Sequence, residues 1–199
     1  MILSKEFRFE ASHQLQHDPG KCRRLHGHSW KLTVEVEGLR DNHGIVINYR
    51  DIKAAVDPMI EGLDHWHLGS HSHLDYNLGG STLTSPVIRW WIDQAEFGSE
   101  DVGTWVRAAV WEPTSENLLY VFADWLSIHA PQLEWSTLSL SETCTCSASL
   151  TWEEYTIEVD LRAEREREKG ELRNARQTLQ QEGKRSNEEG TEEGRQEAS

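Results

Sequence analysis

The sequence predicts a domain that mixes strands and helices, and two kinds of periodicity predict it. Residues 5–13 and 26–37 alternate apolar and polar side chains, the period of half-buried strands. Residues 51–63 and 118–126 instead space their apolar side chains as an amphipathic helix does. A third observation bounds the domain: beyond Leu161 large apolar residues almost vanish, so the core must be built before that point.

The first strand places Phe7, Phe9, Ala11 and His13 on one face and Arg8, Glu10 and Ser12 on the other. Pro19-Gly20 marks a turn in the segment His17–Arg24, which projects Cys22 as a loop. In the second strand His26 and His28 share a face with Trp30, Leu32, Val34 and Val36, and Gly38 ends it. A short third run, Ile45 to Tyr49, follows.

From Asp51 to Leu63 the pattern turns helical through Ile52, Val56, Met59, Ile60 and Leu63, with Pro58 predicting a kink or break. Ser85-Pro86 is an N-cap and first-turn pair for a helix bearing Val87, Ile88, Trp91, Ile92 and Ala95. Trp105 to Trp111 reads as a strand. Thr114 or Ser115 caps a helix carrying Leu118, Leu119, Phe122, Trp125 and Leu126, stopped before Pro131. Residues 135–142 alternate again, placing Glu142 in line with Leu138 and Leu140, and a last strand runs through Leu150, Trp152 and Thr156. Residues 162–199 form a charged tail, helical in part from Glu164 to Arg176 and disordered at its end.

The formal charge of −14 over 199 residues argues against nucleic-acid and anionic-membrane partners, which need clustered Lys and Arg. No run has the length of a membrane span, and Met1–Phe9 lacks the pattern of a secretory signal. Three cysteines form no disulfide framework, so a reducing, cytoplasmic setting is expected. The tail nearly balances its own charge, so the acidity belongs to the folded part.

Four groups of residues can carry chemistry. His13, His26 and His28 offer three neutral nitrogens from two strands, the ligand number of a zinc site with an open position. Ten histidines in a sequence of this length also make incidental pairs common, and spacing alone leaves both readings open. His71 and His73 repeat the spacing without a strand pattern and read as loop surface. Cys22 sits among Lys21, Arg23 and Arg24, whose charge favours a thiolate over a thiol of ordinary pKa about 8.5. The same cluster suits an anionic, phosphate-bearing substrate. Asp64-His65 can work as a carboxylate-oriented acid–base pair or stand as a polar helix end. Glu142, inward among leucines, needs a partner such as an amidine-like N–H edge or a buried cation. Cys144 and Cys146 read as packing residues.

In sequence order, Phe9-Glu10-Ala11-Ser12-His13, Cys22-x-x-x-His26-Gly27-His28, Leu63-Asp64-His65, Pro113-Thr114-Ser115-Glu116-Asn117 and Glu142-Thr143 resemble the 6-pyruvoyl-tetrahydropterin synthase family. The three residues between Cys22 and His26 resemble the 6-carboxytetrahydropterin synthase branch. The resemblance covers residues 2–155. It implies an α+β tunnelling fold, with an antiparallel four-stranded sheet carrying two helices on one face and oligomerising into a barrel. It further implies a trimer or hexamer with sites between subunits. By residue, it implies Zn2+ on His13, His26 and His28, with Cys22, Asp64 and His65 as acid–base groups. Glu142 would anchor the pterin, and Thr114, Ser115 and Glu116 would line the pocket. The implied reaction turns 7,8-dihydroneopterin triphosphate into 6-carboxytetrahydropterin, acetaldehyde and triphosphate. Arg23 and Arg24, or Lys21, are expected to grip the triphosphate.

The sequence departs from the family pattern at Asn48-Tyr49, at Gly69 and in an insertion at about 70–111, within a synthase domain of residues 1–161. The competing readings are 6-pyruvoyl-tetrahydropterin synthase activity, a three-histidine zinc hydrolase with Glu112 or Glu116 as base, and a non-catalytic pterin- or metal-binding scaffold.

Overall fold

The computed structural model describes residues 1–69, 84–97, 112–165, 167, 168, 170, 171 and 174. The protein divides into two compact units, Met1–Glu158 and Val159–Ser199, and everything that follows concerns the first unless stated. Among the described residues no helix is long and apolar enough to cross a membrane.

The sheet begins with a pair of long strands, β1 (Ile2–His13) and β2 (His26–Glu37). They pair antiparallel in unbroken register from Ile2 opposite Glu37 to His13 opposite His26. Alternation does what the sequence predicts: Phe7, Phe9, Ala11 and His13 of β1, and Trp30, Leu32, Val34 and Val36 of β2, are all buried. Because His13 faces His26 across the last rung and His28 follows at period two, the register gathers three imidazoles at one end of the pair.

The third run, Ile45 to Tyr49, is not a strand. Asp41 Oδ1 accepts the N–H groups of His43 and Ile45 at 2.8 and 2.9 Å, folding this segment into a turn capped by a carboxylate. Tyr49 instead opens helix α1 (Tyr49–Leu63), which buries Ile52, Val56, Met59 and Leu63. Pro58 does not break α1. It lies on the exposed side, as does Ala54, whose carbonyl loses its helical donor and can turn to water instead.

After α1 comes β3 (Trp66–His67), paired parallel to β1. The sheet is therefore five-stranded and mixed, in place of the four-stranded antiparallel sheet expected. A two-residue strand has no periodicity to read, which is why it was invisible in the sequence. Gly69, one of the departures, sits where an added Cβ would fall 2.6 Å from Nε2 of the buried His67.

Helix α2 (Pro86–Phe97) starts where the Ser85-Pro86 signal predicts. The buried Ser85 hydroxyl accepts from Val87 N and Ile88 N at 3.2 and 3.4 Å and donates to Gly62 O, tying α2 to the end of α1. Helix α3 (Ser115–His129) has Thr114 as its N-cap, the hydroxyl accepting from Asn117 N at 3.3 Å. Helices α1 and α3 lie on the sheet and α2 packs on both, so among the described residues a third helix joins the two implied in the layer over the sheet. Phe9 stacks on Trp30 at 6.1 Å between centroids and meets the edge of Phe122 of α3 at 6.3 Å.

Strands β4 (Thr137–Ser141) and β5 (Ser147–Thr151) form a hairpin that completes the order β3-β1-β2-β4-β5. The strand predicted through Trp152 and Thr156 stops at Thr151, and residues 152–165 are helical. The cause is a capping box: Thr151 Oγ1 accepts Glu154 N at 3.2 Å, and Glu154 Oε2 accepts Thr151 N at 2.9 Å. In the second unit, the described tail residues 164, 165, 167, 168, 170, 171 and 174 are helical, within the stretch predicted from Glu164 to Arg176. Cys144 and Cys146, expected as packing residues, are exposed free thiols at the hairpin tip. The strand predicted over Trp105–Trp111, the His71 and His73 pair, most of the insertion and the distal tail lie outside the described residues.

Candidate metal centre

The three imidazoles stand on an aromatic floor. His13 and His28 meet the Trp30 ring edge-on at centroid distances of 5.1 and 5.5 Å, and the Trp30 indole N–H donates to Ala11 O at 3.1 Å. His13 is fully buried, and His26 and His28 are half-buried. Burial holds the pKa of His13 and of His28 below the ordinary 6.5, more than the nearby Glu142 carboxylate raises either one. At neutral pH both rings therefore keep a free lone pair.

The outer ring nitrogens decide which way those lone pairs point. His13 Nδ1 lies 2.9 Å from Pro113 O, and His26 Nδ1 lies 2.6 Å from Arg24 O. A carbonyl only accepts, so each Nδ1 must carry the proton and donate it. The two Nε2 atoms then face each other at 3.0 Å as bare acceptors. Glu142 Oε1, another acceptor, is 3.0 Å from His13 Nε2 and 3.3 Å from His28 Nε2. The buried His28 Nε2 makes no well-aligned hydrogen bond despite that short distance.

Four acceptor atoms all lie within 4.8 Å of one another. Without a cation their lone pairs repel; a divalent cation among them satisfies the imidazoles and attracts the carboxylate. Donors bound tetrahedrally to zinc at about 2.0–2.1 Å stand about 3.3–3.4 Å apart, close to the spacing here. Backbone carbonyls fixing the outer nitrogens of ligating histidines are the usual support of such a site. The residues present therefore fit a zinc ion.

Glu142, expected inward along a strand, instead follows the last residue of β4. Its N–H donates to Cys146 O at 3.2 Å, and this turn aims the carboxylate at the imidazoles. With Thr114, Ser115 and Glu116 it lines a cavity of about 300 Å³ that also borders Leu15 and Cys146.

Asp64 and His65 do touch. His65 Nδ1 is 2.9 Å from Asp64 Oδ2, while Asp64 Oδ1 accepts the Glu10 N–H at 2.8 Å. The Glu10 N–H is the main reason that the Asp64 carboxyl titrates below its ordinary value. His65 has φ of +62°, a left-handed conformation uncommon for any residue but glycine. Its N–H donates to Glu10 O, so the end of β1 holds the strained residue in place. The exposed His65 ring and His28 border one groove of about 360 Å³, with Ser12, Gly27 and Trp66. His28 lines that groove and Glu142 lines the cavity beside Thr114, and the two side chains approach to 3.3 Å.

Cys22 stands outside the donor cluster, half-buried on a 3-10 turn (Lys21–Arg23). Lys21, Arg23 and Arg24 are exposed around it. Glu112, considered as a hydrolytic base, is not positioned as one: its carboxylate accepts the N–H groups of Gln16 and His17 and points at that loop. Sequence reasoning missed the Pro113 and Arg24 carbonyls and the floor role of Trp30. Backbone acceptors leave no mark in the residue pattern, and Trp30 announced itself only as core.

The model of the family described as 6-pyruvoyl tetrahydropterin synthase matches residues 2–154, more than half of the sequence. A 6-carboxy-5,6,7,8-tetrahydropterin synthase of Synechocystis sp. is 42% identical over 97 residues, 46% of this chain and 70% of the relative. One of the same name from Haemophilus influenzae is 41% identical over 68 residues, 32% of this chain and 48% of the relative, so the chain spans about half its length. Among solved structures, that of Caenorhabditis elegans 6-pyruvoyl tetrahydropterin synthase superposes with a TM-score of 0.51. It does so at 17% identity, over 76% of this chain and 94% of the other, which supports the fold alone. By the family model, the relatives and the fold together, the chain belongs to the 6-pyruvoyl tetrahydropterin synthase family.

Proposed function

We propose that this protein is a zinc-dependent 6-carboxy-5,6,7,8-tetrahydropterin synthase. It converts 7,8-dihydroneopterin triphosphate to 6-carboxytetrahydropterin, acetaldehyde and triphosphate, a step toward queuosine and other 7-deazaguanines. The observation that carries the reading is the convergence of three histidine Nε2 atoms and one carboxylate oxygen, all acceptors, within 4.8 Å. The names of the Synechocystis and Haemophilus relatives favour the carboxy product.

In this reading His13, His26 and His28 hold the zinc, which when bound supplies Lewis-acid polarisation of the oxygens on the substrate's three-carbon arm. Cys22, as thiolate, takes a proton from a carbon of that arm. His65, oriented by Asp64, moves protons on the groove side of His28. Glu142 accepts the N–H edge of the pterin with both oxygens. Thr114, Ser115 and Glu116 line the space around the ring, and Arg23 and Arg24, with Lys21, neutralise the departing triphosphate. Loss of triphosphate, addition of one water and scission of one C–C bond in the arm leave its inner carbon as the carboxylate and release its two outer carbons as acetaldehyde. We further infer self-association into a trimer or hexamer with sites between subunits, which would cover the edge strands β3 and β5.

The test is incubation of the purified, zinc-loaded protein with 7,8-dihydroneopterin triphosphate and identification of products by mass. Acetaldehyde in step with 6-carboxytetrahydropterin supports the reading. A pterin retaining all three carbons of the arm, without acetaldehyde, would assign 6-pyruvoyl-tetrahydropterin synthase activity instead. Zinc binding with no turnover would leave a pterin- or metal-binding scaffold.

A further inference from the structure

We propose that Glu112 is a positioning residue that holds the Cys22 loop and the ligand His13 in one frame; this rests on the function proposed above. Glu112 lies in the segment entering α3, 95 residues along the sequence from the loop it grips. Its Oε2 accepts the N–H of Gln16 at 2.8 Å. Its Oε1 accepts the N–H of His17 at 3.0 Å and also contacts the His17 imidazole Nδ1. The carboxylate is largely enclosed, with its side chain 14% exposed.

Glu112 is itself fixed. Its carbonyl accepts from Asn117 Nδ2 and from Thr114 N, each at 2.8 Å, which ties it to the capped start of α3. The next residue, Pro113, accepts the proton of His13 Nδ1 at 2.9 Å. One dipeptide thus orients a candidate zinc ligand with its backbone and grips the following loop with its carboxylate.

The loop transmits that grip. Leu15 N–H donates to Cys22 O and Gln14 Nε2 donates to Arg23 O, each at 3.0 Å, so residues 14 and 15 are braced directly to the turn that bears the thiol. Releasing Gln16 and His17 would remove the loop's tie to the segment before α3, leaving its bonds to residues 14 and 15 and the Arg24 O–His26 Nδ1 contact to place Cys22 against His13. Charge-assisted acceptance of two backbone N–H groups gives the carboxylate a hold that a neutral group does not match.

The test compares zinc-loaded wild type with Glu112→Gln and Glu112→Asp. Glutamine keeps the volume but turns an N–H group toward the loop's donors, whereas aspartate keeps both oxygens on a shorter stem. Steady-state kinetics are read beside iodoacetamide alkylation of each cysteine, resolved by peptide mass. Glu112→Gln is expected to lower kcat by about 10–100-fold, with zinc retained and KM little changed. The Cys22 alkylation rate should change severalfold, while Cys144 and Cys146, exposed at the hairpin tip, react as in wild type. Glu112→Asp should recover part of kcat. Unchanged kcat and an unchanged Cys22 rate would overturn the proposal. So would a common rise at all three cysteines in both variants, the mark of a purely structural residue. Alkylation reads the loop without turnover: if wild type converts no pterin but its Cys22 rate still depends on Glu112, the enzymatic reading fails and the positioning role stands.

Discussion

Zinc should raise the unfolding temperature of this protein by a predictable amount. Without a cation, His13 Nε2, His26 Nε2 and Glu142 Oε1 face one another as acceptors, the first lying 3.0 Å from each of the other two. The unfolded state has no such cluster, so zinc binds the folded form preferentially. Free zinc at about a hundred times Kd contributes about 2.7 kcal/mol, and each further tenfold about 1.4 kcal/mol. For a unit of this size class, 1 kcal/mol moves Tm by about 2–4 °C, so the first increment is about 5–11 °C and each later one about 3–6 °C. Differential scanning calorimetry across a zinc titration, starting from chelator-treated protein, reads the increments. His28→Ala separates this site from others, because it removes one donor on a half-buried ring and leaves the buried His13 in place. A Tm that stays flat in wild type, or rises equally in His28→Ala, would refute the reasoning.

Other outcomes follow from the same geometry. Cys22→Ala should lose pterin turnover while retaining zinc, and Glu142→Ala, which takes the carboxylate from the donor cluster but leaves all three imidazoles, should lose turnover while holding zinc more weakly; metal analysis beside the mass assay checks this, and zinc loss in Cys22→Ala would reassign its role. Ser85→Ala removes a buried hydroxyl that accepts from Val87 N and Ile88 N, and should cost about 1–2 kcal/mol, read as a lower urea midpoint at unchanged slope. Asp64 has its folded-state pKa depressed below 3.8, chiefly by the Glu10 N–H. Its stabilising effect is therefore complete above that ordinary value and is lost as pH falls through the lower folded one. Since its carboxylate arm is 41% exposed, solvent screening keeps the contribution under about 1 kcal/mol. Urea unfolding of Asp64→Asn between pH 5 and 2 should show a correspondingly flatter acid limb, and an identical limb would count against the Glu10 contact.

The parts of the fold legible in the sequence are those where one face is buried over several residues. Phe7 to His13 and His26 to Val36 alternate without a break, so both strands and the shared face of the three imidazoles could be read directly. Caps were legible where the polar residue precedes an apolar helical run, as at Ser85 and Thr114. Thr151-x-x-Glu154 carries the same information, but the helix it starts is largely exposed, and Trp152 and Thr156 mimic strand alternation. Two-residue β3 had no period, and Ile45 to Tyr49 looked like a strand because the Asp41 turn that folds it lies upstream. At the site, the gathering of the three imidazoles was legible and their orientation was not. Pro113 and Arg24 set the imidazole tautomers through backbone oxygens, and Glu142 points by virtue of a turn rather than the pleat.

X-ray absorption at the zinc edge of the loaded protein tests most directly whether three imidazoles hold the ion with Cys22 outside. The expected spectrum has a nitrogen and oxygen shell at about 2.0–2.1 Å with imidazole scattering and no sulfur. A sulfur shell at about 2.3 Å, or protein that binds no stoichiometric zinc, would contradict it.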